Sequence, residues 1–244
     1  MCFLLLHHRV RADAPLVLLA NRDEAYERAF DPPAWRGAGR RVLAPRDRRA
    51  GGTWLGVTRS GLLVALTNRR EAWPVEGTTS RGLLVERALA QADARSAAGF
   101  AARHLAETAY AGFNLLLADA REAYVVHHPG SSAPRPPPAS DLVSLRPGAH
   151  VLTNLHDRGE VRVPGAGAPE PGEPLEATLR RLERLAADGL TPLPGDHRIL
   201  KRGSTRGTVC AAVIALSASG RWALRFADGP PDRVPFRRVA GAER

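Results

Sequence analysis

The chain has 244 residues, a formal net charge of +10 and two cysteines. That is enough for one large domain with a sizeable core, and too few cysteines for a secreted disulfide framework. Of its 35 lysines and arginines only Lys201 is a lysine, and the arginines are spread along the chain. Their densest cluster, Arg36 to Arg49 with Arg69 and Arg70, lacks interleaved aromatics and any helix-turn-helix or zinc-finger signature, so no nucleic-acid partner is expected.

Cys2 to Leu6 and Leu16 to Ala20 are short apolar runs on either side of Arg11-Ala12-Asp13-Ala14-Pro15, the pattern of an antiparallel hairpin. The first run is too short for a signal peptide and has no basic flank or cleavage site. No later stretch reaches membrane-spanning length, so a cytoplasmic location and no membrane span are expected. Loss of Met1 would leave Cys2 with a thiol and a free α-amine of pKa about 8 on one residue, a nucleophile carrying its own base. The antiparallel return brings Asn21-Arg22-Asp23-Glu24 beside it, where an arginine would favour the thiolate and a carboxylate would orient the amine. Alternation puts Arg22 and Glu24 on one face and Asn21 and Asp23 on the other. A competing reading makes the four residues a charged turn leading into a helix at Glu24-Ala25.

Ala29 to Arg49 is Pro- and Arg-rich and reads as a long surface loop containing Trp35. Gly51 to Val57 and Leu62 to Thr67 flank Thr58-Arg59-Ser60-Gly61 as a second hairpin ending at Asn68. A polar loop to Thr79 holds Trp73-Pro74, and Ser80 is the expected N-cap of a helix over Leu83 to Ala92. Thr78-Thr79-Ser80-Arg81-Gly82 suits either ordinary capping or a phosphate seat, for which Ser80 and Arg81 are the candidates. A second helix is predicted over Arg95 to Thr108.

Phe113 to Leu117 and Ala123 to His127 form a third hairpin through Asp119-Ala120-Arg121. Gly130 to Ser140, with four prolines, reads as an exposed loop. Short strands follow at Leu142 to Leu145 and His150 to Thr153, ending at Asn154. Glu173 to Ala187 has leucines at helical spacing, with Gly189 as the expected C-cap. Thr208 to Leu216, which contains Cys210 as a core residue, and Trp222 to Phe226 close the pattern. Neither His7-His8 nor His127-His128 can chelate one metal alone, because neighbours on a strand point to opposite faces. Trp54 and Trp35 suit core or rim positions and would also serve as walls of an apolar pocket. Hairpins interrupted by clustered helices predict an α+β fold of antiparallel sheets covered by helices, with the N-terminal strand central, in one domain spanning 1–244.

Met1-Cys2, Asn21-Arg22-Asp23-Glu24, Gly51-Gly52-Thr53-Trp54-Leu55-Gly56, Leu66-Thr67-Asn68, Ser80-Arg81-Gly82, Leu152-Thr153-Asn154 and Gly203 to Thr208 resemble the NRDE family, the family of the transport and Golgi organisation 2 proteins. The order of these matches follows the family from residue 2 to about residue 226. The same landmarks more distantly resemble the N-terminal-nucleophile hydrolases of the penicillin V acylase and choloylglycine hydrolase type. That resemblance implies a four-layer αββα sandwich of two antiparallel sheets. It implies Cys2 as nucleophile, Asn68 in the oxyanion hole, Asn154 near the amine and Arg206 as a late arginine. The superfamily has Gly-Arg-Asn-x-Asp where this chain has Ala20-Asn21-Arg22-Asp23-Glu24, so an ungapped match puts Asn21 on the arginine and Glu24 on the aspartate. Which pair faces Cys2 depends on where the strand ends, and Arg22 and Asp23 are taken as the catalytic pair, with Asn21, Glu24, Trp54, Ser80 and Arg81 as substrate-side candidates.

The expected function is a Cys2-dependent hydrolase or acyltransferase on an acyl amide or thioester, requiring no cofactor. The alternative is a non-catalytic binding and trafficking protein for haem, acyl-CoA or lipid, a possibility the family associations suggest. In either case the partner is a small molecule.

Overall fold

The computed structural model describes residues 2–38, 41–69, 78–134, 137, 141–154, 168–170, 172–191 and 198–239. The chain divides into two compact units, one of Met1–Glu27, Pro147–Thr153 and Asp157–Arg244, the other of Arg28–Arg146 with Asn154–His156. Each unit holds one antiparallel sheet.

The first unit begins with the expected hairpin, β1 (Phe3–His8) and β2 (Leu16–Ala25). β2 is longer than its apolar run: it continues through Asn21-Arg22-Asp23-Glu24, so these residues lie inside a strand and do not form a turn before a helix. Strands β10 (Gly148–Leu152), β11 (Arg206–Leu216), β12 (Trp222–Ala227) and β13 (Arg237–Arg238) complete a six-stranded sheet in the order β10-β1-β2-β11-β12-β13. β1 is thus internal and second from one edge, while β2 and β11 hold the middle. The sequence expectation of a central first strand misses this because the partners of β1 and β2 come from the far end of the chain.

Alternation along these strands sends Phe3, Leu5, Val17, Leu19, Ala211 and Val213 into one apolar cluster with Leu179, Leu182 and Ala186 of helix α3 (Leu175–Ala186). β1 is buried at every position, the mark of a strand covered on both faces. Helix α3 carries the leucine stripe the sequence shows, but Gly189 does not close it. The chain leaves α3 through Ala187 in right-handed geometry, and the Asp188 carboxylate accepts from the Leu190 and Thr191 amides at 2.8 and 3.0 Å. A side-chain acceptor replaces the left-handed glycine turn.

In the second unit the stretch read as a loop over 29–49 is a strand pair, β3 (Phe30–Arg36) and β4 (Val42–Asp47). Prolines 32 and 33 are tolerated because β3 is an edge strand and the pairing slips between Asp31 and Ala34; an edge strand with a bulge can spare the missing N–H groups. β5 (Leu55–Thr58), β6 (Leu63–Asn68), β7 (Phe113–Ala118), β8 (Ala123–His128) and β9 (Leu142–Ser144) continue a seven-stranded sheet in chain order. The third hairpin is as read. Of the proline-rich loop only 130–134 and 137 are described, without regular structure, and Trp73-Pro74 lies outside the described residues.

Helices α1 (Arg81–Leu89) and α2 (Ala94–Leu105) bury Leu84, Val85, Ala88, Ala97 and Ala101 against β6, β7 and β8. Ser80 stands at the N-cap of α1 in extended geometry but makes no side-chain cap bond. Asp93 does cap α2, accepting from Ser96 N at 2.7 Å. The Gly-rich turn before β5 passes over the start of α1: a Cβ on Gly52 would lie 2.4 Å from the Gly82 carbonyl carbon, and Thr53 N donates to Gly82 O at 3.2 Å. Two glycines let two backbones meet where side chains would hold them apart.

Candidate functional site

The first unit gathers six of the sequence candidates around the ends of β1, β2 and β11. Phe3 pairs with Asn21, so continuing the register by one residue sets Cys2 across from Arg22. Arg22 in turn pairs with Cys210. Directly opposed residues share a face, so Cys2, Arg22 and Cys210 form one row across three strands. All three are buried. Burial pushes the Cys210 thiol far up, with Arg22 pulling the other way, so Cys210 is an inert core thiol.

Asn21 points the other way, towards α3. Its Nδ2 donates to Ala186 O at 2.9 Å and to Ile199 O at 3.0 Å. The Ala186 carbonyl is at the end of α3, one of the acceptors a helix leaves without an intrahelical donor. Asn21 therefore closes the helix and ties the 199 segment to the sheet.

Asp23 is buried, with 4% exposure. Its Oδ1 accepts from the Thr208 hydroxyl at 2.7 Å, and its Oδ2 lies 3.1 Å from Lys201 Nζ. Burial raises its pKa, and the Lys201 charge is the largest influence lowering it again. Lys201 and Thr208 complete this cluster: Thr208 closes the Gly203 to Thr208 motif, and the one signal for Lys201 in the sequence is that it is the sole lysine. Glu24 accepts from Ala25 N at 2.9 Å and from Arg206 Nη2 at 3.1 Å. Arg206 is largely exposed, so its ion pair with Glu24 sits at the surface end of β11.

The second unit holds the other candidates. Asn68 ends β6, half-buried and paired with Phe113. Beside it runs a buried polar row: Asn114 Nδ2 donates to Thr67 Oγ1 at 3.2 Å, and the Asn114 Oδ1 to His127 Nδ1 distance is 2.9 Å. Thr67, Asn114 and His127 occupy successive cross-strand positions of β6, β7 and β8. Nothing in the sequence pattern links them, because the register does. Asn154 is buried, and neither atom of its amide finds a hydrogen-bond partner among the described residues. Trp54 packs edge-on against Phe30, with ring centroids 5.6 Å apart, and Trp35 lies under the Arg59 guanidinium at 4.3 Å. Arg81 Nη1 donates to Gly112 O at 2.9 Å, while Ser80 O accepts from Leu83 N at 3.1 Å. No helix of the described residues is long and apolar enough to cross a membrane.

Solved structures with similar coordinates include the Caenorhabditis elegans N-acylethanolamine-hydrolyzing acid amidase ortholog, with a TM-score of 0.53 and 12% identity over 87% of this chain and 92% of that one. Penicillin V acylase from Agrobacterium tumefaciens is another, with a TM-score of 0.52 and 11% identity over 98% of each chain. These likenesses show the fold, the αββα sandwich of the N-terminal-nucleophile hydrolases. Among curated relatives, the Bos taurus transport and Golgi organization protein 2 homolog is 35% identical over 144 residues, 57% of this chain and 50% of the relative. The Homo sapiens homolog is 32% identical over 148 residues with the same coverage. The chain spans about half the length of these relatives. The family model described as Transport and Golgi organisation 2 matches residues 1–162, two-thirds of the sequence, and the chain belongs to that family.

Proposed function

We propose that this protein is an N-terminal cysteine hydrolase or acyltransferase acting on an acyl amide or thioester. The observation that carries the reading is the row of Cys2, just before β1, and Arg22 of β2, with Asp23 buried next to Arg22 on β2. Once the residue before Cys2 is removed, its α-amine takes the thiol proton and the thiolate attacks the acyl carbonyl. Arg22 favours the thiolate and Asp23 orients the ammonium. The likeness to acylases gives the tetrahedral oxyanion to Asn68 and backbone N–H groups. Collapse breaks the bond to the leaving amine or thiol, which takes the proton back from the ammonium, and leaves an acyl thioester on Cys2. Water, or a second acceptor, then releases the acyl group.

The resemblance to acylases supports this assignment of roles, and the amide of Asn154, buried and without a hydrogen-bond partner among the described residues, suits a group reserved for the amine or the substrate. Trp54, Ser80 and Arg81 remain candidates for the acyl or leaving-group side.

The test combines intact-mass and peptide analysis of brief iodoacetamide labelling with a screen of acyl amides and acyl thioesters. A free N-terminal Cys2 should be labelled ahead of Cys210. Cys2→Ala should abolish turnover of any substrate found, and Asn68→Ala should lower kcat by about 10²- to 10³-fold. Unchanged turnover in Cys2→Ala would sink the reading. Stoichiometric ligand binding without conversion, indifferent to loss of the amine, would instead mark a carrier.

A further inference from the structure

Every cation of this chain except Lys201 that is not histidine is an arginine, and the exception is the one held against a buried carboxylate of the candidate site. Its placement is built by the segment Lys201 to Thr208. Lys201 N donates to Thr208 Oγ1 at 2.9 Å, Thr208 N donates to Lys201 O at 2.9 Å, and Arg202 pairs with Gly207 as an isolated antiparallel bridge. Gly207 allows the closure: a Cβ there would meet Lys201 O at 2.6 Å and the Tyr26 hydroxyl at 2.5 Å. The result brings the lysine ammonium to 3.1 Å from Asp23 Oδ2, while the same Thr208 hydroxyl donates to Asp23 Oδ1 at 2.7 Å. Both oxygens of the carboxylate are held by this small loop.

Lysine and arginine are not equivalent here. The ammonium is a compact point charge, whereas a guanidinium is a wide planar fork that needs room for five donors. With the backbone of residue 201 held by Thr208 through its N–H and its carbonyl, the ammonium meets Asp23 Oδ2 as a point charge at 3.1 Å. The charged groups that act on Asp23 are Lys201 and the chain's α-amine, while Arg22, Cys2, Asp228 and Asp23 act on Cys210.

We infer that Lys201 is a positioning residue of the proposed Cys2 site: with Thr208 it fixes the Asp23 carboxylate in its ionised form, and through Asp23 it sets the reactivity of Cys2. Lys201 takes no part in bond making. It acts because a buried carboxylate without a counter-charge takes up a proton and can no longer hold a cationic amine. The inference rests on the proposed role of Cys2, and its two halves are read by separate measurements.

The first measurement is the titration midpoint of the Asp23 side-chain carboxyl, followed by carbon-13 NMR in wild type, Lys201→Met and Lys201→Arg. The second is the pH profile of Cys2 alkylation by iodoacetamide, resolved from Cys210 by peptide mass. Lys201→Met should raise the Asp23 midpoint by about 1 unit or more and shift the pH profile of Cys2 alkylation from that of wild type, with the largest loss of rate where Asp23 has become protonated. Lys201→Arg should recover only part of either effect. In an Asp23→Asn background Lys201→Met should change Cys2 alkylation no further.

An Asp23 midpoint unmoved by Lys201→Met would overturn the inference. So would a moved midpoint with an unchanged Cys2 profile, which would leave Lys201 a structural ion pair. A wild-type Cys2 that is inert with its amine free would overturn the proposed function and the link to Cys2, while the Asp23 midpoint still decides the ion pair. Should Lys201→Met fail to fold, refolding on adding Asp23→Asn supports the pairing, and continued failure of the double variant refutes it.

Discussion

Asn21 spends both amide hydrogens on buried backbone carbonyls, at the end of α3 and at Ile199. Removing the amide strands two buried acceptors. Asn21→Ala should therefore cost about 1–3 kcal/mol in urea unfolding, with hydrogen exchange rising first in the last turn of α3. An exchange increase confined to β1 would contradict this. Asn21 and Asp23 stand two positions apart on β2, yet one serves the fold and the other anchors an ion pair. Adjacent letters of one signature thus carry different physical duties. Arg22, on the opposite face, is the member that meets the Cys2 row.

At the scale of elements, α1 and α2 are joined by a polar contact that depends on protonation. Arg87 of α1 and His104 of α2 meet at 3.0 Å between Nη1 and Nε2, and Tyr110 OH lies 2.9 Å from the same nitrogen. Arginine can only donate, so Nε2 accepts and the ring proton is on Nδ1. Burial, followed by the Arg87 charge, lowers the His104 pKa. A histidine whose folded pKa lies below its unfolded value of about 6.5 contributes stability above that value and loses it as pH falls through the folded one. The stability difference between wild type and His104→Gln should shrink from pH 8 to pH 5 in urea titrations. A constant difference would refute the assignment. The strand pair β3–β4 makes a separate point about elements. Its prolines look like loop residues until the sheet order shows that β3 has no neighbour on one side, where a missing N–H leaves no ladder bond broken.

For the molecule as a whole, the dominant feature is a sheet closed by residues distant in sequence. β2 pairs with β11 over ten positions from Leu16↔Leu216 to Ala25↔Arg206, with one irregularity between Thr208 and Cys210. A chain ending at Arg202 would leave β2 as a long, apolar, unpaired edge, the kind of strand that recruits other chains. Such a truncation should elute as aggregates, well ahead of the full chain, in size-exclusion chromatography. A soluble, monodisperse truncation would show that β11 is dispensable.

The hairpins β1–β2, β5–β6 and β7–β8 and the three helices were legible in the sequence because each follows from local period and turn residues, which need no knowledge of distant partners. Cys2, Asn68 and Asn154, candidates taken from motifs in the sequence, lie at or beside the ends of β1, β6 and β10. Tertiary structure alone decided that β2 extends through Asn21 to Ala25, that β1 is flanked by β10, and that β11 sets Cys210 against Arg22. It alone revealed Lys201 and Thr208 on Asp23, and the row of Thr67, Asn114 and His127. Each of these depends on cross-strand register or on close backbone approach, such as Gly207 against Lys201. Register is fixed by packing between segments up to some 200 residues apart, a distance over which local propensity carries no information.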